Sequence, residues 1–193
     1  MEFITWTTLF LLLLSDMEKK TLKADLSVSS IRNLQKELEK YKDSLTYKCR
    51  LLAEKLSERG VEVARVQIAD LDAIFTGELI QSLHSEYKGS TKFGAIFAVV
   101  TDSDHAAFVE FGTGWLGKNT PYPYPLPEGV SWDYNTGKTI RYNAKKGTYY
   151  WFYPGKDGQW HYTEGMPARP FLFLTSLELQ KEVVKIAKEV FGE

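Results

Sequence analysis

A chain of 193 residues with a net charge of −1 is long enough for one well-buried core and gives little support for two. The near-neutral balance argues against a protein whose main task is to neutralise phosphates, and a content of 44% hydrophobic and 25% charged residues excludes a chain too polar to offset its own entropy on folding. The single cysteine, Cys49, rules out an intramolecular disulfide, and its spacing from Leu45 and Leu52 points to a structural thiol on an apolar helix face.

The N-terminal stretch MEFITWTTLFLLLLSDMEKK carries an apolar run ending at Leu14. It has Glu2 and no Lys or Arg ahead of the run, and no small-residue cleavage site after it, so it makes a poor secretory signal. The run is also shorter than the ~20 apolar residues of a membrane-spanning helix. A start at Met17 is one reading, and a membrane-associated or signal segment is the other. Residues 1–16 are therefore set apart as an apolar or non-native extension, and residues 17–193 are expected to form a single α+β domain.

Leu22, Ala24, Leu26 and Val28 alternate with polar residues, which predicts a strand over Thr21 to Val28. Ser29 and Ser30 are N-cap candidates for a long amphipathic helix. Its apolar residues are Ile31, Leu34, Leu38, Tyr41, Leu45, Leu52 and Leu56, and Gly60 is its expected stop. Such a stripe suits either a helix laid across a sheet, the reading preferred here, or a coiled-coil seam. The composition of VEVARVQI, from Val61 to Ile68, leans to a strand, although Val61, Ala64 and Ile68 also fit one helical face.

GELIQSLHSEY predicts a helical turn running into an extended segment, KFGAIFAVV from Lys92 to Val100 a strand, and AAFVEF one short helix. Residues 112–147 read as a long insertion loop around the proline-rich run PYPYPLP, either a stiff spacer or an aromatic docking arm. Thr148 to Tyr153 and Gly158 to Thr163 flank PGKDG as a β-hairpin carrying Trp151 and Trp160. After the extended MPARPF comes a C-terminal helix. Its apolar residues are Phe173, Leu177, Val184, Ala187 and Phe191 on one face, with Leu179, Val183, Ile186 and Val190 on the neighbouring one.

Candidate chemistry is sparse. The glycines of EFGTGWLG, Glu110 to Gly117, have the G-x-G-x-x-G spacing of a dinucleotide turn, but the following KNTPYPYPLP cannot form the helix whose amides would hold a pyrophosphate. Asp102, Asp104, His105 and Glu110 make the densest set of acid–base or metal-ligating groups and would serve a small metal-dependent hydrolase. They lack an H-E-x-x-H or C-x-x-C spacing, and T-D-S-D-H reads better as a capping turn after a strand. His84 and His161 sit among aromatics in extended segments. We therefore expect no catalytic, cofactor or metal site.

Three segments occur in order: TGELIQSL (Thr76 to Leu83), HAAFVEFGTG (His105 to Gly114) and MPARPFLFLTSLE (Met166 to Glu178). Together they resemble the tailed-phage family of minor tail and head-to-tail joining components typified by the gene-ten product of a lambdoid siphophage. In that family a T-G-x-L-x-x-S segment precedes Y-A-x-x-V-E-F-G-T, and A-x-P-F-L opens the C-terminal helix. Here Thr76, Gly77, Leu79 and Ser82 match the first, and Ala106, Val109, Glu110, Phe111, Gly112 and Thr113 the second. Ala168, Pro170, Phe171 and Leu172 match the third, with Pro167 and Arg169 inside the segment. His105 stands where a tyrosine is common, and the proline-rich loop and hairpin lengthen the stretch between the second and third motifs.

The resemblance implies an α+β fold, with an antiparallel sheet against a long N-terminal helix and a C-terminal helix. It also implies a non-enzymatic protein of the virion neck or tail, assembled in the bacterial cytoplasm. Its expected partners are other copies of itself in a ring, portal-side connector and tail-tube proteins; no small-molecule substrate, specific nucleic acid or membrane is expected. The motif residues become interface or turn candidates, with Gly112 and Gly114 permitting a sharp exit turn. Glu110 is then either a capping acceptor or an intersubunit ion-pair partner. The runner-up reading is an envelope binding module anchored by the N-terminal run, with the Trp and Tyr of the hairpin as its platform.

Overall fold

The computed structural model describes residues 21–73, 77–92, 94–134, 141–155 and 157–192. The expectations for residues 1–16, Thr76 and Phe93 lie outside them. The fold is mixed α+β, with a long N-terminal helix, a C-terminal helix and antiparallel sheets between them in sequence. The chain divides into two compact units. One draws its described residues from Met1–Gly60, Ser85–Val99 and Glu178–Glu193, the other from Val61–His84 and Val100–Leu177.

Helix α1, Val28–Asp70, is 43 residues long. Its start is fixed by Ser27, whose carbonyl accepts from Ile31 N–H and whose Oγ accepts from Ser30 N–H, while Ser30 Oγ accepts in return from Asp25 N–H. The N-cap is thus Ser27, ahead of Ser29 and Ser30. This reciprocal turn replaces the strand expected over Thr21 to Val28. Ala24, Leu26 and Val28 are exposed and Leu22 is half-buried, so the alternating residues build no buried face, and the Asp25 carboxylate accepts from Ser27 N–H at 2.8 Å.

Gly60 does not end α1. It is buried in the helix, and a Cβ there would lie 2.6 Å from Val99 Cγ2 and 3.2 Å from Leu179 Cδ1. The missing side chain lets the helix backbone approach two neighbours closely. In the first unit these belong to the hairpin of β1, Leu83–Thr91, and β2, Gly94–Thr101, and to the C-terminal helix α5, Phe171–Phe191. Gly94 sits against Cys49, Arg50 lies over the Tyr87 ring at 5.6 Å, and Ser57 and Ser85 share a hydrogen bond. Arg59 grips Glu182 with two bonds, Nε to Oε2 at 2.7 Å and Nη2 to Oε1 at 2.9 Å. Along α5 the buried residues of this unit are Val183, Ile186, Ala187 and Val190, whereas Val184 is turned outward.

The second unit begins with the last turns of α1, so VEVARVQI is helical and not a strand. Val61, Ala64 and Ile68, spaced for one helical face, are buried. Extending an existing helix avoids a new nucleation cost, and burial of this face overrides the β-branched composition. After Asp72, at φ 51°, and Gly77, at φ 74°, comes α2, Glu78–Ser82. Arg65 Nη2 donates to the Leu83 carbonyl at 3.0 Å, and Ser82 Oγ meets Thr101 Oγ1 at 2.6 Å. The short helix expected from AAFVEF is α3, Ala106–Phe111.

The expected 112–147 loop is not all loop. It holds helix α4, Gly114–Asn119, and strand β3, Arg141–Asn143. The expected hairpin is present as β4, Thr148–Pro154, and β5, Trp160–Thr163, and β3 adds to it in the antiparallel order β3-β4-β5. A two-residue strand β6, Gly165–Met166, bridges back to Thr113 and Gly114 before α5 begins.

Candidate functional site

The second unit contains the described parts of all three motif segments as far as Leu177. Helix α5 opens with Leu172 and Phe173 N–H groups that no earlier turn can satisfy. Both donate to Glu110: Leu172 to Oε2 at 2.8 Å and Phe173 to Oε1 at 3.1 Å. A carboxylate there also complements the positive end of the helix dipole. The Arg169 N–H donates to the Val109 carbonyl at 2.8 Å, and Arg169 Nε to the Leu71 carbonyl at 3.0 Å. Glu110 is therefore a capping acceptor that ties the second motif to the third.

Glu110 is buried, 4% exposed, and burial pushes its carboxyl above the usual value against the opposing pull of the two amides and the Tyr122 hydroxyl. Tyr122 is raised in turn to about 12 by its own burial, then by the charge and hydrogen bond of Glu110. The Tyr122 ring packs edge-on against Phe111 at 5.0 Å, and Tyr124 stacks on Phe173 at 3.9 Å. PYPYPLP thus turns its two tyrosines onto the second unit and leaves its prolines exposed.

The glycines of EFGTGWLG serve close packing. At Gly112, φ 79°, a Cβ would stand 2.7 Å from the Ala168 nitrogen; at Gly114, φ 61°, it would stand 2.4 Å from the Trp151 ring. Thr113 and Gly114 bridge to Met166 and Gly165, and Trp132 Nε1 donates to the Gly112 carbonyl at 2.8 Å. The expected turn is real, and what crosses it is the segment leading into α5. Of the interface candidates, Glu110, Gly112, Thr113, Gly114, Pro170 and Phe171 are buried within the unit. Phe111, Pro167 and Arg169 are half-buried, as is Gly77 at the start of α2. These residues hold the fold together and offer little surface to a partner.

Asp102, Asp104, His105 and Glu110 are not gathered. Asp102 faces His84 at 3.8 Å, Asp104 and His105 are exposed, and Glu110 points at α5. Thr101 Oγ1 accepts from Ser103 N–H at 3.1 Å, in the expected capping turn. No group of three or more His, Cys, Asp or Glu suited to a metal occurs among the described residues. Cys49 is half-buried, and burial raises its thiol pKa. Among the described residues no helix is long and apolar enough to cross a membrane.

The exposed surface with the most marked chemistry lies on the β3-β4-β5 sheet. Alternation along β4 sends Trp151 onto Gly114 and Tyr149 onto Trp115, centroids 5.6 Å apart, on one face. On the other face Tyr150, Phe152 and Tyr162 form one cluster, with Tyr162 at 5.0 Å from Tyr150 and 5.8 Å from Phe152. Phe152 and Tyr162 are exposed, and Trp160, opposite Pro154, is 69% exposed. Lys146 Nζ lies 5.6 Å over Tyr162 and 3.6 Å from Glu164, whose carboxyl the Tyr162 hydroxyl holds below the usual range. Comparison with family models, with curated proteins and with solved structures found no match. The sequence marked the hairpin's Trp and Tyr as a platform for the runner-up reading, and the register adds which aromatics share a side.

Such a face suits contact with another protein. Aromatic rings give a large buried area at low entropic cost, and their polar tips can still pair at the rim. The surrounding charges of Lys146, Glu164 and Arg141 are of mixed sign, which suits a protein partner better than a polyanion.

Proposed function

We propose that this protein is a structural component of a tailed-phage neck or tail, joining head to tail as a ring of identical subunits and performing no catalysis. The reading rests on the ordered motif segments. Its main support is that the second and third of them, 62 residues apart at their meeting point, are joined by the Glu110 carboxylate and the Leu172 amide. On this reading the joined segments build the scaffold, and the exposed aromatic sheet face is the surface it offers to neighbours. In a closed ring each subunit presents different patches to its two neighbours.

The test is genetic. In induced lysates of a host whose phage lacks this gene, electron microscopy is expected to show filled heads and complete tails that are not joined, with joining restored by the gene in trans. Normal, infectious, joined particles without the gene would overturn the proposal.

A further inference from the structure

The first half of α1 carries an apolar stripe in which Ile31, Leu38 and Tyr41 are exposed and Leu34 and Leu45 half-buried. Ile31 is 50% exposed, Leu38 52% and Tyr41 41%. The contacts that seat α1 in the first unit, described above, fall at Cys49, Arg50, Ser57, Arg59 and Gly60. Val28 to Lys48 spans roughly 30 Å at 1.5 Å per residue. Among the described residues, local contacts there include the Ser27 cap, Lys40 to Glu37 at 3.1 Å and Gln35 to Glu39 at 3.4 Å. A helix of this length is marginal in water without a packed face.

Ile31, Leu34, Leu38, Tyr41 and Leu45 recur at alternating steps of three and four, the a and d positions of a heptad. The pattern ends at Lys48, which falls on a d position, and the apolar residues shift to Cys49, Leu52 and Leu56 where the hairpin takes over. The stripe thus has the spacing of a coiled-coil seam, and the contacts with the hairpin described above fall in the second half of the helix. Its flanks identify the occupant. Glu37 stands at a g position and Lys42 at the following e position. In two parallel, in-register helices a g residue faces the partner's next e residue, so Glu37 of each copy meets Lys42 of the other. An antiparallel pair aligned about the same centre would bring like positions together and lose this match.

We infer that the Ile31–Leu45 face of α1 binds the same face of a second copy of this chain in parallel. A parallel pairing of like faces is two-fold about an axis along the helices, an isologous contact additional to the heterologous contacts that close a ring. The inference names a self-association surface and rests on the self-assembly part of the reading above. The seam spans little more than two heptads, so association through it is weak and concentration-dependent.

The test is the solution mass of the full chain by light scattering across the micromolar range, with thermal unfolding as the folding control. The wild-type mass is expected to rise with concentration. Leu38→Lys and the single reversals Glu37→Lys and Lys42→Glu should hold the mass at the monomer value, and the double reversal Glu37→Lys/Lys42→Glu should restore the rise. Should Leu38→Lys fail to fold, the charge variants at exposed positions still decide. A wild type that stays monomeric, or single reversals that behave as wild type, would overturn the inference. So would a double reversal that stays dissociated, or a stripe that self-associates only once residues 1–16 are removed, which would make the chain's own N-terminal segment its cover. A wild-type mass that stays at the monomer value in a protein still needed for head-to-tail joining would defeat the seam and leave the neck reading standing. Seam-dependent association in a protein not needed for head-to-tail joining would do the reverse.

Discussion

Glu110 caps helix α5 from 62 residues away in sequence, its two carboxylate oxygens accepting the Leu172 and Phe173 amides at 2.8 and 3.1 Å. Truncation at this position strands two part-buried donors at the start of a 21-residue helix. Glu110→Ala should therefore lower stability by about 1–3 kcal/mol, read as a reduced urea midpoint with an unchanged slope. Wild-type stability in this variant would contradict the capping role and return Glu110 to the interface.

The pH dependence at Glu110 has a definite sign. Burial raises its folded pKa above the usual 4.5, so the folded state holds the proton more tightly than the unfolded one. Its contribution is fully present below that value and is lost as pH rises through the raised folded pKa. Wild type should lose stability relative to Glu110→Gln as pH rises from 4.5 upward, as followed by urea midpoints at stepped pH. A relative gain over that window would mean that the amide hydrogen bonds outweigh burial.

Gly114 and Gly129 separate two costs that glycine substitution usually mixes. Both have positive φ, but a Cβ at Gly129 meets open space whereas one at Gly114 runs into the Trp151 ring. Gly129→Ala should cost the backbone penalty alone, about 1–2 kcal/mol. Gly114→Ala should cost clearly more and broaden the near-UV signal of the tryptophans. Equal costs would show that Trp151 moves aside freely.

The aromatic sheet face should be dispensable for folding. The double substitution Phe152→Ser/Tyr162→Ser should cost about 1–3 kcal/mol for the lost cross-strand aromatic contacts and leave the protein folded, while failing to restore head-to-tail joining in trans. Full complementation by this variant would move the contact surface elsewhere.

The C-terminal helix, the hairpin and the AAFVEF helix were legible because each carries a local signal: a 3.6-residue stripe, a glycine-bearing turn between aromatic arms, and a short apolar run after capping residues. Val61 to Asp70 and Gly60 misled for the opposite reason. There a β-branched run and a helix-breaking residue are both overruled by neighbours that only the fold supplies, Val99 and Leu179 at Gly60 and the buried face at Ile68. Helix α4 was hidden by two glycines whose close approaches involve Trp151 and Tyr134. The two amides that Glu110 accepts lie far along the chain, a partnership that no local pattern encodes. The stripe on α1 was readable as a stripe, but not that the contacts with the hairpin described above fall in the second half of the helix.

The most direct test of the central claim is sedimentation of the purified protein mixed with the connector and tail-tube proteins of the same phage genome, in each order of addition. The account predicts a closed oligomer of discrete mass that co-sediments with at least one of the two and bridges them when both are present. A protein that associates with neither, in any order and at any concentration tested, would contradict it.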